Sequence, residues 1–246
     1  MTGGDDGHEA EALVALEIEA AAALFCQSRA AAIALAAASL SHAPTGHGHG
    51  GHRRHVVMLR AHDHDRGAPT RSLLRLGGGG VREVGSLDRV GRDELEGALA
   101  DRSSIGLYLT TDSFAEGRSI PPVYEMIHAA RRHGLPSIVD VRGPADAVAM
   151  LDAGAGLVMT GVAGAAGVIA GDDARIAACR ALFSGIGAVM TAHPAGVRQL
   201  LDQWLPRTDG QRPTLRFVPL AVRTYTAHAD GTLLSACERG FLGPAS

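Results

Sequence analysis

Short apolar runs alternate with longer amphipathic or alanine-rich segments along most of the chain. The runs at 56–60, 105–109, 137–139 and 156–159 are almost continuously apolar, as expected for strands buried on both faces of a parallel sheet. A further strand is predicted at 81–84 (VREV). Segments with helical periodicity separate these runs. The pattern predicts an α/β protein with three layers, α/β/α, around a mostly parallel sheet.

Helices are predicted where apolar residues recur every three to four positions or where a breaker bounds an apolar segment. These segments are 9–25, 30–40, 70–76, 91–100, 123–133, 174–183 and 197–205. Ser28 is placed as the N-cap of the second of them. Further strands are expected at 214–222 and 222–227. The predicted organisation is a large domain over residues 1–195 and a short C-terminal α+β subdomain over residues 196–246.

Polar side chains stand where the predicted strands end. The carboxyl ends of parallel strands share one edge of a sheet, and ligands collect there. The residues expected at this rim are Arg60, His62, Ser86, Thr110, Asp112, Asp140, Arg142 and Thr160. Asp112, Asp140 and Arg142 are candidates for catalysis, and Ser86 and Arg142 are candidates for substrate binding.

The stretch Ala61-His62-Asp63-His64-Asp65-Arg66 is the densest polar segment that follows a strand. In an extended segment, His62 and His64 would lie on one side and Asp63 and Asp65 on the other. An imidazole near a carboxylate is suited to general base catalysis, whereas a solvated loop explains the same residues equally well. These four residues are catalytic candidates, and Arg66 is a substrate-binding candidate.

Composition narrows the range of functions. Hydrophobic residues make up 46% of the 246 residues, which is ample for a buried core, and 23 basic residues face 26 acidic ones. This balance argues against a nucleic-acid or membrane surface. Three widely spaced cysteines and an acidic N-terminus without a basic leader favour a reduced cytoplasmic location, and the apolar run at 30–40 is too short to span a bilayer.

Five of the twelve histidines lie among glycines between His42 and His55. Such a tract can bind Zn²⁺ or Ni²⁺. However, the glycine spacing imposes no coordination geometry, and no carboxylate or thiolate is near in sequence. A loop without a functional metal is preferred, and no metal ligand is assigned.

Three stretches carry a resemblance to a known family: 127–141 (IHAARRHGLPSIVDV), 152–161 (DAGAGLVMTG) and 167–172 (GVIAGD). They resemble the core of the fold-type I pyridoxal-phosphate enzymes, with the selenocysteine synthase-like (L-seryl-tRNA selenium transferase-like) branch as the nearest. The resemblance implies an aminotransferase-like large domain and a C-terminal piece that is shortened here. It also implies an active site at a dimer interface.

The resemblance assigns roles to particular positions. It places the aspartate that pairs with the cofactor's pyridine nitrogen at Asp140, and it adds Thr160 to the cofactor contacts. The phosphate cradle falls on Gln27, Ser28 and Arg29. The segment 185–194 follows the family's bend into its small domain, and His193 in this segment is a substrate-binding candidate.

The departures from the family are as informative as the match. All 23 basic residues are arginines, and Val162, Ala163 and Gly164 stand where the resemblance places the Schiff-base lysine. No side chain in these 246 residues can therefore form the internal aldimine. Arg142 is expected to project to the same side as Asp140, where it would compete for the carboxylate or hold a substrate carboxylate.

Three functions remain open on the sequence. The first is an enzyme that acts on a small carboxylate-bearing metabolite by acid–base chemistry, in an elimination, isomerisation or condensation; non-covalent binding of pyridoxal phosphate or pyridoxamine phosphate is a variant of it. The second is a non-catalytic subunit of a lysine-bearing paralogue. The third is a metal-dependent activity of the histidine tract. A homodimer, or a heterodimer with the paralogue, is expected.

Overall fold

A computed structural model describes residues 6–42, 54–112, 119–162, 166–186, 194–204, 216–218 and 241–243. The helices are α1 (Asp6–Glu17), α2 (Arg29–His42), α3 (Thr70–Leu76), α4 (Arg92–Leu99), α5 (Val123–Arg132), α6 (Pro144–Asp152), α7 (Asp173–Ile186) and α8 (Pro194–Trp204). The strands are β1 (Ala22–Cys26), β2 (His55–Leu59), β3 (Gly80–Val84), β4 (Ser104–Thr110), β5 (Ser137–Asp140), β6 (Leu157–Val162), β7 (Ala166–Gly171), β8 (Arg216–Val218) and β9 (Phe241–Gly243).

Seven strands form one sheet in the order β1-β7-β6-β5-β4-β2-β3. The five strands from β2 to β6 run parallel, and β7 is antiparallel to both of its neighbours, β6 and β1. The carboxyl ends of β2 to β6 therefore lie at one edge. The three-layer α/β architecture with a mostly parallel sheet is confirmed.

Alternate residues of each strand enter separate apolar layers on the two faces of the sheet. Val57 and Leu59 of β2 pack in the layer that contains α1, α4, α5, α6 and α8, whereas Val56 and Met58 pack in the layer that contains α2, α3 and α7. Parallel strands are covered on both faces in this way, which explains their continuous apolar sequences. Tyr108 and Ile138 belong to the α2 side.

The N-terminal prediction is wrong. A single helix was expected over residues 9–25, but α1 ends at Glu17 and Ala22–Cys26 forms the edge strand β1, paired with β7. Glu19 takes a left-handed conformation, with φ of 55°, and turns the chain between the two elements. Strand pairing therefore overrides the helix propensity of the alanines.

The β6–β7 hairpin lies directly against the first turn of α2. A Cβ built on Gly167 would lie 2.3 Å from the carbonyl oxygen of Ser28, and one on Gly161 would lie 2.7 Å from Cβ of Arg29. The backbone nitrogen of Arg29 is 2.9 Å from both of these built positions. Glycine is therefore required at both sites by close backbone approach.

We expect Gly167→Ala to lower the free energy of unfolding by about 1–3 kcal/mol, because its methyl group would overlap backbone that cannot move without shifting α2. The matched control is Gly97→Ala in α4, where a Cβ would meet nothing within 4 Å. That variant should gain about 0.5–1 kcal/mol from helix propensity. Chemical denaturation measures both, and equal effects would contradict the proposed contact.

Candidate functional site

Asp140 ends β5 at the carboxyl edge of the sheet and is wholly buried, with a side-chain exposure of 0%. Arg29, the first residue of α2, brings Nε to 2.6 Å from Oδ1 of Asp140. Arg66, from the loop after β2, brings Nε to 3.0 Å from Oδ2. Each carboxylate oxygen therefore accepts a hydrogen bond from a different guanidinium, and charge-assisted bonds of this kind are the strong ones.

Arg66 also joins Asp140 to a second carboxylate. Its Nη2 donates to Oδ2 of Asp112, two residues beyond the end of β4. The side chains of Arg29, Arg66 and Asp112 are 19%, 15% and 23% exposed. Asp112 is thus the most exposed member of a cluster of two positive and two negative charges, which we call the arginine–aspartate cluster (Arg29, Arg66, Asp112 and Asp140).

The loop that carries Arg66 is a tight turn. The backbone N–H of Arg66 donates to the carbonyl of Ala68 at 3.0 Å, and Asp65 Oδ1 accepts from the N–H of Gly67 at 2.8 Å. Asp63 accepts from the N–H of Arg71 in α3 at 3.0 Å. Both aspartates therefore have structural partners here, and their predicted catalytic roles stay untested.

Tyr108 also contacts the arginine–aspartate cluster, and the sequence analysis did not identify it. This fully buried residue of β4 donates from its hydroxyl to Oδ2 of Asp140 at 3.3 Å. Burial, and then the negative charge of Asp140, raise the pKa of the Tyr108 phenol well above its ordinary value. The signal that could have found it is its position two residues before Thr110, on the same face of the strand.

His62 is buried rather than placed in an extended, accessible segment as predicted. Residues Arg60–His62 form one turn of 3₁₀ helix, and Nδ1 of His62 accepts from the backbone N–H of Thr110 at 3.3 Å. Burial, and then the nearby His64, lower the pKa of His62 from 6.5 to about 3. A neutral His62 therefore helps to hold the end of β4, from which Asp112 follows.

The structure pairs Arg142 with Asp146, whereas the sequence analysis expected Arg142 to compete for Asp140. Arg142 is exposed and its Nε donates to Oδ2 of Asp146, in the first turn of α6, at 2.9 Å. Burial raises the pKa of Asp146, but hydrogen bonds from Arg142 and Thr111 outweigh it and leave the pKa lowered. The competition for Asp140 that was expected of Arg142 is instead provided by Arg29 and Arg66, and a substrate-binding role for Arg142 stays a prediction.

The remaining predicted positions are spread over the rim. Ser28 caps α2 as expected, accepting from the N–H of Ala31 at 3.1 Å, and Gln27 is exposed. Thr160 donates to the carbonyl of Val141 at 2.7 Å and thereby ties β6 to the end of β5. Ser86 bonds within its own turn to Asp88.

Three predicted features fall outside the described part of the chain: His193, residues 43–53 of the histidine tract, and the strand expected at 222–227. Among the residues that the structure describes, no group of three or more His, Cys, Asp or Glu side chains has the arrangement needed to hold a metal ion. No helix in those residues is long and apolar enough to cross a membrane.

The fold implies pyridoxal phosphate, and the residues at the expected positions do not fit it. A protonated pyridine nitrogen needs an available carboxylate, yet both oxygens of Asp140 are already bonded to guanidinium groups. The first turn of α2, where the phosphate would lie, is packed against the β6–β7 hairpin. The chain also contains no lysine in its 246 residues.

Comparison with known proteins agrees with the fold. The D-glucosaminate-6-phosphate ammonia lyase of Salmonella typhimurium is 34% identical over 145 residues, which are 57% of this chain and 39% of that protein. The 5'-C-glycyluridine monooxygenase-decarboxylase of a Streptomyces species is 32% identical over 154 residues, 60% of this chain and 38% of that protein. No family model matches. The chain spans less than half the length of these relatives.

Solved structures show the same architecture. A D-glucosaminate-6-phosphate ammonia lyase aligns with a TM-score of 0.67 and 27% identity over 80% of this chain and 56% of its own. Cystathionine gamma synthase from Xanthomonas oryzae pv. oryzae aligns with a TM-score of 0.59 at 18% identity, over 80% of this chain and 49% of its own, which shows the fold alone. The fold is that of the large domain of fold-type I pyridoxal-phosphate enzymes.

These relatives and neighbours are named as enzymes, and the Salmonella relative is named as a lyase. The selenocysteine synthase-like branch, the domain boundary and the cytoplasmic location stay predictions.

Proposed function

We propose that this chain is a lyase-type enzyme that acts on a small carboxylate-bearing metabolite with its own acid–base groups and without an internal aldimine. The observation that carries the proposal is the bridge formed by Arg66 between Asp140 and Asp112 at the carboxyl edge of the sheet. A guanidinium held between a buried carboxylate and a more exposed one offers a position that a substrate carboxylate can take.

Binding proceeds by exchange of one carboxylate for another. Asp140 is completely buried and stays paired, whereas Asp112 is partly exposed and lies in the loop after β4. A substrate carboxylate carries the same charge and the same kind of acceptor oxygen as Asp112, so it replaces Asp112 on Nη2 of Arg66. The exchange releases Asp112 beside the bound substrate, where it serves as the general base.

The arrangement suits a β-elimination. Asp112 takes the proton on the carbon next to the substrate carboxylate, and the guanidinium of Arg66 stabilises the negative charge that develops on the carboxylate oxygens. A carbon–carbon double bond forms as the hydroxyl on the next carbon leaves as water with the proton that Asp112 has taken, which returns Asp112 to its ionised state. From a 2-amino-3-hydroxy acid the resulting enamine becomes an imine, which water hydrolyses to a 2-oxo acid and ammonia.

The relatives suggest the first substrates to test. The name of the Salmonella protein specifies D-glucosaminate 6-phosphate, an amino sugar acid that carries both a carboxylate and a phosphate. We expect the purified protein to release ammonia and a 2-oxo acid from this compound or from unphosphorylated D-glucosaminate.

Asp112→Asn should lower kcat by about 10²–10⁴-fold, because asparagine keeps the size of the side chain but cannot accept the proton. The matched control is Glu83→Gln on β3, which removes another arginine-paired carboxylate of similar exposure, 20%. That variant should retain wild-type turnover. Equal losses in the two variants would contradict the role of Asp112.

A second candidate is a non-catalytic subunit that pairs with a lysine-bearing paralogue. The observation in its favour is that the arginine–aspartate cluster is balanced in charge and each member is bonded to another. In this case the isolated chain turns over neither compound, whereas addition of the paralogue yields a stable heterodimer with activity. Turnover by the homogeneous chain would exclude this candidate.

A further inference from the structure

We infer that Arg29 and Arg66 exclude the cofactor of the fold from this chain, including pyridoxal phosphate or pyridoxamine phosphate that is not covalently attached. Each guanidinium takes a hydrogen-bonding position on one oxygen of Asp140, the carboxylate with which the cofactor's pyridine nitrogen would otherwise pair. The inference concerns cofactor binding alone and does not depend on the reaction proposed above.

The charge on the cofactor ring makes the exclusion strong. The protonated pyridine nitrogen of these cofactors is a cation, and a carboxylate beside it favours that charge. Two guanidiniums that are already within 3.0 Å of Asp140 repel a third cation at a site where little water is present to screen the repulsion. The hydroxyl of Tyr108 occupies a further acceptor position of Oδ2 at 3.3 Å.

The hydrogen-bond geometry fixes the arginines in place. Arg29 makes a second contact, from Nη2 to the carbonyl of Val141 at 3.4 Å, and Arg66 is held at its other end by Asp112. Displacing either guanidinium would leave its charge in a mostly buried position without the carboxylate that neutralises it. A ring that binds at Asp140 must therefore overcome the loss of these pairs as well as the repulsion.

The phosphate end of the cofactor meets a second obstacle. In enzymes of this fold the phosphate would lie at the start of α2, because free N–H groups and the helix dipole attract anions there. Here the backbone nitrogen of Arg29 lies against Gly161 and Gly167 of the β6–β7 hairpin. The first backbone N–H of α2 is thus covered by the chain itself, which weakens this anion site.

Pyridoxamine phosphate is the suitable probe, because it needs no lysine for attachment. We expect isothermal titration calorimetry to detect no binding of it to the wild-type chain at millimolar concentration, and the melting temperature to stay unchanged. Arg66→Ala, which removes one cation and opens space beside Asp140, should bind it at least about tenfold more tightly than the wild type and should gain melting temperature with ligand.

Two further variants test whether tighter binding by Arg66→Ala is caused by exposure of Asp140 rather than by a general loss of stability. The response should disappear in the double variant Arg66→Ala/Asp140→Asn, which lacks the carboxylate, and it should be absent in Arg142→Ala, which removes an exposed arginine nearby. Where Arg66→Ala does not fold, Arg66→Gln replaces it, since its neutral side chain still donates to Asp140. The inference is overturned by micromolar binding to the wild type, or by an Arg66 variant that responds no more than the wild type does.

Discussion

Asp140→Asn is expected to lower the free energy of unfolding by about 3–5 kcal/mol, the largest effect of any single substitution considered for this chain. The substitution removes the charge that neutralises both Arg29 and Arg66 and leaves Asp112 as the one carboxylate of the cluster. The two guanidiniums are mostly buried and do not regain their hydration in the folded state. Urea denaturation at neutral pH measures the loss.

The matched control for this prediction is Asp146→Asn, which removes a carboxylate six residues further along the chain that also pairs with an arginine. Because Arg142 is more than half exposed, this pair should contribute no more than about 1 kcal/mol. High salt should reduce the effect of the control and leave most of the Asp140 effect. Similar losses in the two variants would show that the cluster is not a buried network.

The parallel part of the sheet was predictable because buried strands have a local signature. The runs around 56–60, 105–109 and 137–139 are apolar at successive positions, and their boundaries in the structure differ from the predictions by at most one residue. Strand β1 has no such signature, since its alanines favour a helix equally well. Its conformation is decided by pairing with β7, which lies more than 140 residues further along the chain.

The location of the site could be predicted from the sequence, but the contacts between its side chains could not. Because β4 and β5 are parallel, Asp112 and Asp140 lie at the same edge of the sheet regardless of how their side chains are oriented. In the register of the sheet, Thr110 pairs with Asp140. Which arginine reaches Asp140 depends on long-range packing. The nearest in sequence, Arg142, follows the turn into α6 and meets Asp146, whereas Arg29 and Arg66 arrive from 111 and 74 residues away.

The conformation of the segment 61–66 was also not predictable from its sequence pattern. Alternation of His and Asp indicated an extended segment with two faces, but the 3₁₀ turn at Arg60–His62 places His62 inside the protein and leaves Asp65 exposed in the following turn. His62, which is next to Asp63 in sequence, is therefore a buried neutral group in the structure. Its hydrogen bond to Thr110 stabilises the carboxyl edge of the sheet.

Acidification should destabilise the protein through His62. Its pKa is about 3 in the folded chain against 6.5 ordinarily, so between these values the unfolded chain binds a proton that the folded chain does not. Stability from this residue is fully present above pH 6.5 and decreases by about 1.4 kcal/mol for each pH unit below it, until pH 3 is reached. Urea denaturation between pH 4 and pH 7.5 measures the slope.

His62→Gln isolates this contribution, because glutamine does not titrate and its side-chain oxygen is able to accept the N–H of Thr110 that Nδ1 of His62 accepts now. The variant should be less stable than the wild type at pH 7.5, since the imidazole fills a buried position, yet its stability should fall less steeply with acid. The two stabilities should therefore approach each other towards pH 4. His128→Gln, which replaces an exposed histidine of α5, is the control and should keep the wild-type slope. Parallel curves for His62→Gln and the wild type would mean that protonation of His62 does not oppose folding and that another group causes the acid sensitivity.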